Sequence, residues 1–545
     1  MKKITSIISS LLLLTLIACE SDFLERVPKT EITETEFFNT VADLETYSNG
    51  FYRYYDWVYA DHGSDNISIH TGTNTMDQVV IGNVSSSNIG SKGNWTTDNW
   101  GQLRNINFFL QNATRATGID EDIMHYIGLG RFFRARYYYD KVSIYSDVPW
   151  YNTAMGIEDE SMYKSVDSRA LVVDSILADL QFAVENIKPE LKTKTRISKY
   201  GALAHMARIC LQEGTYRKYH HSCRSFPIWH YHEEINLSSD YSRFLEKAVW
   251  ACEQIMNSGL FEITGSSGND FGLLFRSTAL ENNKEVIMQK ASDKELGVAN
   301  NTHSVLNWQW SLSRSLMESF LMEDGTPFTQ QADYDKKDYL QIFENRDPRF
   351  AETIVFPGFK TSKESNPELP GIKFGGIGQI KFYPREQELR GGWNLDYTSL
   401  PLYRLGEVLL IYAEAKAELG TLTQDDVNNS IIQLRSRVGM PHLDMAVANS
   451  TIDPVLAAYY PNVSGNNQGV ILEIRRERRV ELACEGLRGD DLKRWAAGTH
   501  FADDNQGIYI PYLGAYDMTG DGEPDLAILA SPTETGPISD LTEDQ

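Results

Sequence analysis

The sequence predicts a mostly α-helical fold, a superhelix of tetratricopeptide-like helix pairs interrupted by long loop insertions. Three observations predict it. Apolar residues recur at helical spacing in several long segments, these segments come in pairs with small residues between them, and long polar stretches containing Trp or Tyr separate the pairs.

The chain opens with Lys2 and Lys3 ahead of an apolar run, Ile4 to Ile17, broken only by Ser and Thr. That is the anatomy of an export signal. Its fourteen residues fall short of the roughly twenty that span a bilayer. The run ends in Leu16-Ile17-Ala18-Cys19, which resembles a bacterial lipobox. The lipobox resemblance implies acylation of Cys19 and removal of residues 1–18, leaving 19–545 as one domain. Each buried methylene adds about 0.8 kcal/mol, and stable anchoring takes more than one chain, so a triacylated Cys19 would hold firmly. The alternative is an ordinary secretory leader that happens to contain a cysteine. Glu20-Ser21-Asp22 then reads as a solvated tether.

A net charge of −24 over 545 residues, with no compensating block of Lys and Arg, gives no electrostatic footprint for a phosphate backbone and argues against nucleic acid as a partner. The 41% hydrophobic content supplies ample core material. Cys210, Cys223, Cys252 and Cys484 show no paired spacing, which argues against a disulfide framework. Cys210 and Cys252 lie in apolar helical patterns as small buried hydrophobes.

Along the chain, Ile123 to Tyr145 forms a long helix that ends before Asp147-Val148-Pro149. Leu171, Ile176, Leu180, Ala183, Val184 and Ile187 form another, paired with Tyr200 to Gly214, where Ala202, Ala204 and Ala207 are small packing residues. Leu245 to Gly259 follows. The clearest stripe is Leu405, Val408, Leu409, Tyr412, Ala415 and Leu419, closed by Gly420. Thr423 can then cap a second helix with Asp426 three residues on, and its apolar face continues through Val427, Ile431, Leu434 and Val438 to Gly439. Residues 60–99, 260–312 and 350–400 are the long insertions, where function most often resides.

The C-terminal run Leu472-Glu473-Ile474-Arg475-Arg476-Glu477-Arg478-Arg479-Val480-Glu481-Leu482, with Glu485-Gly486-Leu487-Arg488 and Asp491-Leu492-Lys493-Arg494-Trp495, resembles the SusD/RagB family. Arg404 to Ala415, Arg131 to Ala135 through Pro149, the turn Arg346-Asp347-Pro348-Arg349, the lipobox and Phe23-Leu24-Glu25 agree in order along nearly the whole chain. The resemblance implies a lipid-anchored outer-membrane protein facing the cell exterior. Such a protein binds glycans or peptides and acts as the lid of a SusC-like TonB-dependent transporter. It implies no enzymatic activity and names no substrate.

Sugar rings present apolar C–H faces that stack on flat aromatics, while short polar side chains bond the hydroxyls. Trp95, Trp308, Trp310 and Trp393, with Asp77, Asn94 and Asn307 close in sequence, meet that requirement. Trp308 and Trp310 share a parity, so an extended segment would set both on one face. The opposing reading makes each Trp a core residue, as Trp100 is expected to be beside Leu103, Ile106 and Phe109.

Glu473, Glu477 and Glu481 could be read as the carboxylates of a lipid-anchored glycoside hydrolase. Spacing of i, i+4 puts them on one helix stripe, and Arg476 and Arg478 lie three residues from Glu473 and Glu481, which favours a structural ion network. Asp517, Thr519, Asp521, Glu523 and Asp525 alternate as in a calcium loop, but Ile528 replaces the bidentate Glu at the twelfth position. A structural calcium and an acidic Asp-Gly turn are the two readings. No other cofactor is expected. His220, His221, His230 and His232 with Cys223 and Glu233 match no standard zinc spacing and read as a solvated loop. No nucleophile elbow, H-E-x-x-H or phosphate loop occurs. The expectation is a glycan-binding lipoprotein. A peptide-binding member of the same family, the hydrolase and a protein-binding helical adaptor are its rivals.

Overall fold

The computed structural model describes residues 37–531 apart from 70–84, 86, 88–94, 157, 221–236, 307–308, 362–365 and 504–505. The longer helices are α1 (Val41–Asn49), α2 (Thr97–Asn112), α3 (Asp120–Tyr145), α4 (Arg169–Asn186), α5 (Lys199–His220), α6 (Leu237–Met256), α7 (Gly268–Arg276), α8 (Leu405–Leu419), α9 (Ile431–Arg437), α10 (Gln468–Glu481) and α11 (Arg488–Arg494). Among the described residues, no helix is long and apolar enough to cross a membrane. Residues 1–36, and with them the leader and Cys19, lie outside the described residues.

Local chemistry sets the helix ends, and two helices run longer than the sequence reading gave, Lys199–His220 against Tyr200 to Gly214 and Leu237–Met256 against Leu245 to Gly259. The Thr96 side chain accepts the N–H of Asn99 to start α2, and that of Ser168 accepts the N–H of Leu171 to start α4. Helix α8 stops at Gly420, which takes the left-handed conformation at φ 74° that a side chain would resist. The helices then pair, α3 against α4, α5 against α6, and α8 against both α6 and α10. Small residues allow the close approach. A Cβ on Gly214 would lie 2.7 Å from a Leu245 methyl, so α5 and α6 cross there at a distance only glycine permits.

One departure lies in the second helix of the 405–439 pair. It is broken into Gln424–Asn428 and α9, although Thr423 and Asp426 form the expected capping box. The Ser430 hydroxyl donates to the Asp426 carbonyl at 2.6 Å. That side-chain bond takes the place of a helical one and turns the backbone.

Two hydrophobic cores result. The first lies among α1 to α6, α8 and the C-terminal helices. The second lies largely within residues 260–400, which include two of the insertions, and holds Phe271, Phe275, Phe320, Phe350 and Phe382. Among the described residues, three two-stranded antiparallel sheets trim it: β1 (Ile67–Ile69) with β3 (Trp310–Leu312), β2 (Val286–Lys290) with β4 (Leu400–Arg404), and β5 (Gly514–Tyr516) with β6 (Leu526–Ile528). Cys210, Cys252 and Cys484 are buried free thiols.

Between the cores sits a buried ionic network. Glu481, at the end of α10, accepts from Arg404 at 2.7 Å and Arg437 at 2.6 Å on one oxygen, and from Arg349 at 2.8 Å on the other. Glu285 accepts from Arg404 at 2.9 Å and Arg437 at 2.8 Å, and Glu477 from Arg349 at 2.6 Å and Arg435 at 2.7 Å. Asp347 binds Arg349 at 2.7 Å, and Glu485 binds Arg404 and Lys381 at 2.7 and 2.8 Å. Among the described residues, these five cations and five carboxylates balance in formal charge, and Arg435 reaches on to Glu473 at 3.7 Å. Gly406 makes room for the cluster, since a Cβ there would fall 2.2 Å from Arg404 Nη1.

The sequence placed the ladder's partners nearby, and here the structure corrects it in part. Arg476 does reach Glu473 at 3.5 Å, but Arg478 pairs with Asp491 at 2.8 Å and leaves Glu481 to long-range arginines.

Glu481→Gln would take a carboxylate from three guanidiniums and leave the buried cluster one positive charge in excess, and losing one member of a buried ion cluster costs about 3–5 kcal/mol. Urea unfolding should show that loss. Burial pushes the Glu477 and Glu481 carboxyls up, but Arg349 and Arg435 on the first, and Arg437, Arg404 and Arg349 on the second, leave both below their ordinary 4.5. A depressed carboxylate contributes fully above its unfolded pKa and loses that contribution as pH falls through the folded value. The network's contribution, read as the difference between wild type and Glu481→Gln, should therefore stay level from neutral pH to about 5 and decline below it. A difference that grows on acidification would contradict the network's role.

Candidate functional site

Trp393 is the most exposed of the described candidate tryptophans, at 59%, against 37% for Trp95 and 5% for Trp310. Its position follows from a tight turn. The N–H of Gly391 donates to the Leu395 carbonyl and that of Leu395 to the Gly392 carbonyl, both at 2.9 Å, which leaves Trp393 at the tip. Asp396 then fixes the turn to the neighbouring loop. Its backbone pairs in both directions with Asn300, at 2.9 and 3.1 Å. Its buried carboxylate accepts the His303 N–H at 2.7 Å and faces His303 Nδ1 at 2.5 Å.

Asn300 is fixed in turn, donating to the Thr398 carbonyl at 2.7 Å and accepting from the Thr302 hydroxyl at 2.8 Å. The two loops behave as one piece. At their rim the Asn301 amide donates to Asn394 Oδ1 at 2.6 Å, and the His303 ring stands edge-on to Trp393 with centroids 6.5 Å apart. In the tautomer that donates from Nδ1 to the Asp396 carboxylate, His303 Nε2 is an acceptor. Leu296, Val298 and Leu395 are also exposed on these adjoining loops. The site thus offers a flat ring, amides, an imidazole acceptor and apolar side chains on a pinned backbone. Such a surface suits a ligand with alternating apolar faces and hydroxyls.

Trp95 is a second platform and rests on the other core. Its ring meets Trp100 and Tyr145 edge-on at 5.0 and 4.7 Å. The Lys141 ammonium lies 5.7 Å from it and 5.6 Å from Trp100, and burial pushes that lysine's pKa down to about 8, against the opposing pull of Asp140. Trp100 packs against the core, as its helical position implied.

Trp310 requires a correction. It pairs with Ile69 in the β1–β3 ribbon, its Nε1 donates to Gln379 Oε1 at 3.3 Å, and its ring packs on His62 at 4.8 Å. Parity located one face of the strand but not whether that face was covered. Asp77, Asn94, Asn307 and Trp308 lie outside the described residues, as do His221, Cys223, His230, His232 and Glu233. His220 ends α5, with its Nε2 at 2.7 Å from the Lys493 carbonyl and its ring stacked on Tyr216 at 4.1 Å.

The sequence reading missed Asn301 and His303 because they come from a segment some ninety residues upstream of Trp393, and it passed over Asn394 and Asp396 beside it. The Gly-Gly-Trp-Asn tetrapeptide was the available sign, a turn signal with an aromatic at its tip. Glu477 and Glu481, by contrast, are buried and saturated by guanidiniums, so they flank no cleft in the way that glycoside hydrolysis needs. A crevice of 510 Å³ lined by Val142, Ile144, Tyr216, His220 and Lys493 lies apart from the Trp393 loops.

A family model described as the SusD family matches residues 253–525, half of the chain. The chain belongs to the SusD family. A second model, described as starch-binding and associating with the outer membrane, matches residues 22–211. SusD-like protein P25 of Formosa agariphila is 23% identical over 525 residues, covering 88% of this chain and 87% of that one. A solved SusD-like protein from Bacteroides fragilis superposes with a TM-score of 0.69 at 20% identity, covering 89% of this chain and 92% of the other. A SusD-like carbohydrate binding protein from the same organism gives 0.65 at 21%, covering 85% and 88%. At such identities the structural likeness speaks for the fold, and it agrees with the helix-pair architecture expected of the SusD family.

Proposed function

We propose that this SusD-family protein captures an oligosaccharide at the cell surface and delivers it to a TonB-dependent outer-membrane transporter, acting without chemistry of its own. The observation that carries the reading is the Trp393 ring, exposed at the tip of a turn that Asp396 and Asn300 hold rigid, with Asn301, Asn394 and His303 beside it. A pre-formed aromatic platform binds a sugar without a loop-ordering cost. Two descriptions support the ligand class: starch-binding for the family model matched by residues 22–211, and carbohydrate binding for the B. fragilis structure.

Cys19 completes the proposal as the site of the lipid anchor, with the protein facing outward. Tethered beside its transporter, the lid would meet it at high effective concentration, so a modest interface would suffice. The SusC-like partner belongs to this reading as well. A peptide ligand is the competing outcome.

Calorimetry or affinity electrophoresis against starch, laminarin, other neutral glycans and a peptide panel tests the ligand class. Glycan binding is the expected result, and binding confined to peptides in folded protein would overturn it. Trp393→Ala should weaken binding at least tenfold, about 1.4 kcal/mol, with the unfolding midpoint unchanged because the ring is exposed. Wild-type affinity in that variant would remove Trp393 from the site. Glu477→Gln should lower stability yet bind glycan normally at temperatures where it is folded. Glycan turnover that this substitution abolishes would favour the hydrolase. In cells, Cys19→Ala should fold and bind but fail to support uptake, which growth on the bound glycan would reveal.

A further inference from the structure

Two amides at the rim of the Trp393 loops hold each other, and the bonds they make fix which way each one points. The Asn394 backbone N–H donates to Asn301 Oδ1, and in that amide only the oxygen can accept it. The other end of the Asn301 side chain is therefore its NH2, which donates to Asn394 Oδ1 at 2.6 Å. That contact turns the oxygen of Asn394 toward Asn301. The Asn394 NH2 is left over, with two hydrogens and, among the described residues, no acceptor for either. Asn394 holds this arrangement at φ 56°, in the left-handed region that Asn tolerates better than most residues.

The chain neighbour of Asn394 is Trp393, and the partly exposed His303 ring stands edge-on to that tryptophan. In the tautomer that donates from Nδ1 to Asp396, His303 Nε2 accepts. Exposed Leu296, Val298 and Leu395 belong to the same two loops. Leu296 sits in a pinned turn of its own, where Asp293 Oδ1 accepts the N–H groups of Glu295 and Leu296 at 2.8 and 2.9 Å.

A sugar hydroxyl both donates and accepts, so it meets either kind of polar atom and has no use for the apolar side chains. A 2-acetamido group uses all three. Its carbonyl can only accept, which suits the Asn394 NH2. Its N–H can only donate, which suits His303 Nε2, and its methyl suits the leucines and valine while the sugar ring stacks on Trp393.

We propose that the Trp393 loops select glycans built from N-acetylated amino sugars, with Asn394 as the residue that determines this specificity. The proposal rests on the glycan reading of the same site and narrows its substrate class. These sugars are neutral, so the acidic protein does not repel them.

The test compares the methyl glycosides of glucose and galactose with their 2-acetamido counterparts, by tryptophan fluorescence and calorimetry on the full mature chain. In at least one pair the acetamido sugar should bind about tenfold more tightly. Asn394→Asp separates specificity from structure. Its carboxylate still accepts from Asn301, but an oxygen replaces the NH2. A hydroxyl can turn and donate to that oxygen, whereas a carbonyl cannot. The acetamido preference should therefore disappear at an unchanged unfolding midpoint, with plain-sugar binding maintained. Equal or weaker binding of the acetamido sugar in both pairs overturns the proposal, and so does an unchanged preference in Asn394→Asp. In either case, binding of plain glycans would leave the Trp393 reading in place, whereas failure of every glycan to bind folded protein removes both.

Discussion

Glu481 is the group on which the rest of the structure depends. It lies fully buried where the helix-pair core and the insertion core meet, and three arginines from three separate segments converge on its two oxygens. Arg404 comes from the strand that leads into α8, Arg437 from the end of α9, and Arg349 from the turn between the 260–312 and 350–400 insertions. Hydrophobic contact alone would let two cores slide against each other. Charge-assisted bonds of fixed direction do not, so the network sets the register between scaffold and insertion.

This arrangement explains why so much of the fold was legible in the sequence. Residues that carried the family resemblance, such as Arg349, Arg404, Glu477, Glu481, Glu485, Arg488 and Asp491, are largely buried ionic partners. None of them can change singly without leaving a buried charge uncompensated. The helices were legible for a simpler reason, since one face of each must be apolar at a 3.6-residue period. Two local errors share a cause. The break at Ser430 is a side-chain bond competing with a helical one, and the burial of Trp310 depends on what covers its strand. Neither competition is written in periodicity.

The candidate site was legible only as a residue type. Trp393 was found because an aromatic flanked by glycines stands out. His303 and Asn301 were missed because their meeting with Trp393 is made by the pairing of Asn300 with Asp396 across a long loop. The scaffold therefore fixes where the loops emerge, and the loops fix the chemistry. A change at the tip of the 391–395 turn would alter the exposed surface without disturbing the network beneath it.

One consequence of the buried network concerns the outside of the molecule. Among the described residues, buried cations outnumber buried carboxylates by eighteen to fifteen. The remaining residues then carry more than the chain's whole net charge of −24. Neutral sugars approach such a surface unopposed, while polyanions meet repulsion within a Debye length of about 8 Å at physiological salt. Copies of the protein crowded side by side would repel one another in the same way, spacing themselves laterally by electrostatics alone.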